Sequence, residues 1–156
     1  MEPELRLAAA QQIADQAVHE ASRLGLQISV AVADEAGALL AFARMDRATR
    51  LSARTAVDKT QTVSLTGNAT LDLGREFRDQ LGEEPEVFHG MIARPDIVPL
   101  GGGVPLRISG RLAGAVAVSG ATSIQDHQIA ELAARAINSP IEERLAGEEP
   151  AVRAGG

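Results

Sequence analysis

From Glu4 to Leu24 the apolar residues Leu5, Ala9, Ile13, Ala17, Ala21 and Leu24 recur at steps of three and four. That spacing lays one apolar stripe along a helix, which Gly25 ends. The period then switches to alternation: "QISVAVAD" and "ALLAFAR" flank the turn residues "DEAG" and predict an antiparallel hairpin. A second helix is expected from Ser52, as its N-cap, to about Gly67, with Ala53, Ala56, Val57, Thr60 and Ser64 on one face. "TLDLGREFRDQLGEEPE" predicts a short helix fading into an acidic loop. "VPLRIS" and "LAGAVAVSG", joined by a "GR" turn, predict a second hairpin. A last helix is expected from Ser123 to about Asn138, facing inward with Ile129, Leu132, Ala133, Ala136 and Ile137, until Pro140 stops it.

The predicted order is α-β-β-α-α-β-β-α. Strands arriving as hairpins rather than βαβ crossovers make this an α/β (α+β) fold, an antiparallel sheet flanked by helices. A length of 156 residues suits one domain, placed at residues 1–140. Residues 141–156 lack an apolar period and are dense in charge, glycine and proline, so a disordered tail is expected there.

Composition narrows the function. With 45% hydrophobic residues but only three aromatics, all Phe, the core is built from Ala, Val, Leu and Ile. A net charge of −6 and the lack of Trp and Tyr argue against nucleic acid as a partner. The absence of cysteine removes disulfides, thiolate nucleophiles and cysteine-based zinc sites, and no metal site is expected. No apolar run approaches the ~20 residues that span a bilayer, and "MEPELRLAAAQQ" is not built as a signal peptide. A cytoplasmic chain with no membrane partner is the expectation.

The glycine run in "VPLGGGVPL" leads into a strand and is followed closely by Pro105, so it is neither a phosphate loop nor a dinucleotide fingerprint. Gly101, Gly102 and Gly103 instead suit the rim of a pocket or a close backbone approach. On the second helix Lys59 has Thr55 and Thr62 about one turn away on either side and Thr66 beyond. A cation ringed by hydroxyls reads as an anion or carboxylate site, or as a threonine-rich subunit interface. Arg44 and Asp46 end the first hairpin on one side of its strand, as an ion pair or a carboxylate-steering pair. Ser123 and Asp126 make an S-x-x-D capping pattern, and His127 follows in the first turn, roughly opposite the apolar stripe, as a candidate proton carrier or ligand or as a solvent-facing side chain. His89 is expected in a loop, while His19 reads as surface.

"GGGVPLRISGRLAGAVAVSGATSIQD", together with "ISVAVADEAGALLAFARMD", resembles the GlcG/HbpS-like, or haem-degrading-protein-like, family over roughly residues 5–139. Lys59 in "AVDKTQT", the "GGGVP" segment with Gly101 in place of a proline, and "FARMD" match the family pattern. His127 stands where an acidic residue is common, and His89 is likewise a departure. The resemblance implies a profilin-like fold, self-association into homo-oligomers and haem as cofactor, with no other cofactor expected. Two functions follow as expectations. One is binding of haem or a related tetrapyrrole through His127, His89 or Lys59. The other is a cofactor-independent isomerase, lyase or cyclase acting on a small acidic or carbonyl metabolite, in which Lys59 and Arg107 hold the anion and an imidazole moves a proton.

Overall fold

The computed structural model describes residues 4–146, with side chains through residue 135. Helix α1 (Leu7–Arg23) leads into the hairpin of β1 (Ser29–Asp34) and β2 (Leu39–Arg44). Helices α2 (Arg50–Thr66), α3 (Thr70–Glu83) and α4 (Pro85–Ile92) follow, then the hairpin of β3 (Gly103–Ile108) and β4 (Arg111–Ser119), and then α5 (Ser123–Ala146). The four strands form one antiparallel sheet in the order β2-β1-β4-β3. Both predicted hairpins are present, and β1 pairs with β4 to join them, from Ser29↔Ser119 to Asp34↔Gly114.

The central strands are buried on both faces, and they sort side chains by size. Val30, Val32, Val116 and Val118 form one face and pack with Ile13 and Ala17 of α1 and with Ile129 and Ala133 of α5. Each such aliphatic side chain contributes about 1.5–3 kcal/mol when fully buried, which makes this layer the main source of stability. Ala31, Ala33, Ala115 and Ala117 pave the opposite face, where α2 lies on the sheet. A hydrogen bond of 2.9 Å between the Ser29 and Ser52 hydroxyls fastens that helix to the alanine face.

Departures from the expected elements have local causes. Thr49, not Ser52, caps α2: its hydroxyl accepts from the Ser52 N–H at 3.0 Å, and Ser52 turns inward. The face that α2 buries accordingly holds Ser52, Ala56, Lys59, Thr60 and Val63, rotated from the one expected. The stretch expected as an acidic loop folds into α4, with Pro85 in its first turn, where the missing N–H costs nothing. His89 therefore sits on a helix rather than a loop. In α1, Leu24 is exposed while Ala10 and Ala14 are buried. Helix α5 continues past Pro140 to Ala146, since a proline removes one helical hydrogen bond and need not end the helix. Of the expected tail, residues 147–156 lie outside the described residues.

Candidate functional site

Helix α2 covers β1, β4 and β3 but reaches only slightly over the edge strand β2. On the α2 face the register sets Arg44 beside Ser29 and Phe42 beside Ala31, with Leu39 beside Ala33 across a bulge. The outer strip of that face is thus uncovered, leaving Leu39 50% and Phe42 42% exposed. Between this strip and the flank of α2 runs a groove of about 380 Å³ lined by Leu39, Phe42, Ala53, Arg54, Val57 and Asp58. Its volume falls in the range that holds small molecules. Four of the lining residues are apolar, and the two charged ones, Arg54 and Asp58, stand one helical turn apart.

On its inner side α2 carries the most enclosed charge in the described residues. Lys59 is 2% exposed, and its ammonium donates to Gly101 O at 2.8 Å, Val118 O at 2.9 Å and Asp126 Oδ2 at 3.4 Å. A lysine has three N–H donors, and all three are engaged here. The Asp126 carboxylate also accepts from Ala121 N–H at 2.9 Å. Burial pushes the Lys59 ammonium below its ordinary value and the Asp126 carboxyl above its own, while each partner's charge pulls the other back. The glycine run closes around this pair. A Cβ on Gly102 would lie 2.2 Å from Val118 O and 2.8 Å from Lys59 Nζ, and one on Gly101 would lie 2.4 Å from Ser123 O. Gly103 donates its N–H to Thr70 Oγ1 at 2.8 Å. These glycines admit neighbouring backbone and the lysine head, and the chain itself fills the space.

Residues 5–135 match the family model described as haem degrading protein HbpS-like. This chain belongs to the HbpS-like family. Protein GlcG of Escherichia coli K12 is 36% identical over 103 residues, which are 64% of this chain and 69% of that protein. A double mutant of Streptomyces reticuli HbpS aligns with a TM-score of 0.75 at 29% identity, covering 88% of this chain and 89% of that one. The haem complex of PduOC aligns with a TM-score of 0.77 at 29% identity, covering 87% of this chain and 96% of that one.

In this HbpS-like chain Lys59, Asp126 and the glycine run meet in one buried cluster, whereas Arg44, Arg107 and His89 make their contacts elsewhere. Lys59, expected in a half-buried anion or carboxylate site or on a threonine-rich subunit interface, instead points to two backbone carbonyls and Asp126. The hydroxyls around it serve the backbone: Thr62 donates to Asp58 O at 3.1 Å and accepts from Val98 N–H at 2.9 Å, and Thr66 donates to Thr62 O at 2.8 Å. Thr55 is half-buried on the same helix. The cap of α5 is Thr122 with Gln125, which bond each other's N–H groups at 3.2 Å. Asp126 is thereby released from the expected pairing with Ser123 and turns to Lys59. Arg107 donates to Gly67 O at 2.8 Å and so caps the C-terminus of α2. Arg44 donates to Ala48 O at 3.2 Å, and Asp46 is exposed in the turn beyond β2. His127 is largely buried; its Nε2 lies 3.4 Å from Glu131 Oε1 and its Nδ1 meets no hydrogen-bond partner. His89 and His19 are exposed, and His89 packs edge-on against Phe88. Neither histidine of the two departures lines the groove. Among the described residues no group of three or more His, Cys, Asp or Glu is placed to hold a metal ion, and no helix is long and apolar enough to cross a membrane.

Of the groove residues Leu39, Phe42, Ala53, Arg54, Val57 and Asp58, the sequence points to Ala53 and Val57 only as part of a helix face and to none as a site residue. One signal was available. "LLAFAR" is apolar at both odd and even positions, so a strand at a sheet edge must show apolar side chains on a face that its own domain leaves open.

Proposed function

We propose that this chain is a small-molecule-binding protein whose ligand is haem or a related tetrapyrrole, held in the groove between β2 and α2. The observation that carries the reading is the uncovered strip, with Leu39 and Phe42 exposed beside Ala53 and Val57. It is a flat apolar wall of the kind that marks ligand grooves. The solved haem complex of the similar PduOC supports the ligand class. The fit is good for the organic part of haem: apolar walls meet the macrocycle, and Arg54 stands ready for an acidic group. It is poor for the iron, because among the described residues the lining holds no His, Cys, Met or Tyr, the side chains that ligate haem iron. Self-association belongs to the same reading: Leu51 and Leu65 of α2 are 73% and 61% exposed, apolar side chains that a subunit contact would cover.

Haemin titration followed by absorbance tests the reading. Wild type is expected to bind saturably with a shifted Soret band. Phe42→Glu, which places a charge on the strip without entering the core, is expected to weaken binding about tenfold or more, a change of ~1.4 kcal/mol. His89→Ala and His127→Ala are expected to bind as wild type does. Non-saturating uptake, or binding lost with His127→Ala and untouched by Phe42→Glu, would overturn the proposal.

A further inference from the structure

Arg54 lies within the first two turns of α2 and is, among the described residues, the one cation lining the groove. Among the described residues no hydrogen bond or ion pair engages it. Arg23 is committed to Glu20 and Arg94 to Asp96, each at 2.7 Å, Arg135 to Glu131 at 3.7 Å, and Arg107 to a backbone carbonyl; of the arginines whose side chains are free among the described residues, Arg54 is the one that lines the groove. Asp58 stands four residues after Arg54 and does not pair with it, consistent with cation-before-anion being the weaker order for such a pair on a helix. The mouth of the groove therefore presents a planar fork of donors that suits a carboxylate in bidentate fashion. Asp58, farther along the same wall, repels a second acid and sets which way round a ligand lies.

Resting on the groove reading above, we infer that this chain recognises tetrapyrroles by their apolar face and their carboxylate edge, through Arg54, and not by their iron. Metal-free porphyrins carrying propionates are then ligands of the same site as haem. The lining offers the iron nothing it prefers, whereas every feature it does offer is matched by the organic ring and its acids.

The test compares haemin, protoporphyrin IX and protoporphyrin IX dimethyl ester on wild type, Arg54→Gln and Phe42→Glu, with folding checked by circular dichroism. Protoporphyrin IX is expected to bind wild type about as tightly as haemin. The dimethyl ester, which keeps the ring and loses the charges, is expected to bind at least about tenfold more weakly, the scale of a charge-assisted hydrogen bond. Arg54→Gln is expected to bind acid and ester alike, at the affinity of the wild type for the ester. An Arg54→Gln protein that still prefers the acid by the wild-type factor would overturn the carboxylate role, and a wild type that binds haemin but not protoporphyrin IX would overturn the iron independence. In either case loss of binding in Phe42→Glu would leave the groove reading standing. Unchanged binding in Phe42→Glu would remove the groove reading as well.

Discussion

Lys59→Met is expected to destabilise the chain by about 3–5 kcal/mol, the cost of removing one partner from a buried ion pair. Methionine keeps the length and most of the volume of lysine while deleting the ammonium. Gly101 O and Val118 O then lose their donor, and Asp126 is left charged in a buried site. Denaturant unfolding measures the loss, which is large beside the 5–15 kcal/mol typical of a whole domain. The double variant Lys59→Met/Asp126→Leu is expected to recover a substantial part, because an apolar pair of similar volume commonly matches a buried ion pair. A double variant no more stable than the single one would contradict the pairing. The pH dependence has a definite sign. Burial lowers the Lys59 value in the folded state, so between that value and the ordinary lysine value the unfolded chain holds more protons than the folded one. Wild type is therefore expected to gain stability relative to Lys59→Met as pH rises from neutral through that alkaline window, and a flat or opposite difference would refute the assignment.

Gly102→Ala is expected to cost about 4 kcal/mol or more, a loss reserved for a few severe mechanisms. Two of them coincide. The residue has φ +132, where side chains other than glycine's are strained. Its Cβ would also lie 2.2 Å from Val118 O, whose position is fixed by the sheet, and 2.8 Å from the Lys59 ammonium. Gly67 provides the control, with φ +70 and nothing within 4 Å of an added Cβ. Gly67→Ala is expected to lose only the ~1–2 kcal/mol of a left-handed residue. Equal losses at the two positions would contradict the steric account. Gly102 does not line the groove, so the folded fraction of Gly102→Ala is expected to bind haemin as wild type does.

The sheet was legible in the sequence because its strands alternate in size as well as in polarity. "SVAVAD" and "AVAVS" send valines one way and alanines the other, and nothing in the chain competes with that pattern. The second helix was harder, because its buried face includes a lysine. From spacing alone Lys59 looked like a cation among hydroxyls. The acceptors that hold it, Gly101 O, Val118 O and Asp126, are 42, 59 and 67 residues away in the chain, and backbone carbonyls leave no mark on a sequence. The same ambiguity affected the glycine run, since a pocket rim and a close backbone contact both require the absence of a side chain. Helix α4 was missed because "EEPEVFHGMI" is acidic and contains proline, features that serve equally for a loop and for a first helical turn. The groove escaped notice for a different reason. Leu39 and Phe42 are ordinary strand residues until one knows that α2 stops short of β2, and that is a property of packing.

The groove assignment is tested most directly by mapping amide chemical-shift changes in isotope-labelled protein as diamagnetic zinc protoporphyrin is added. Perturbations are predicted to concentrate at residues 39–44 and 53–58, the two walls of the groove, and to spare Ala121, Asp126 and helix α4. Shifts centred instead on His127 and the start of α5, or on His89 and α4, would contradict the account and place the ligand elsewhere on the fold.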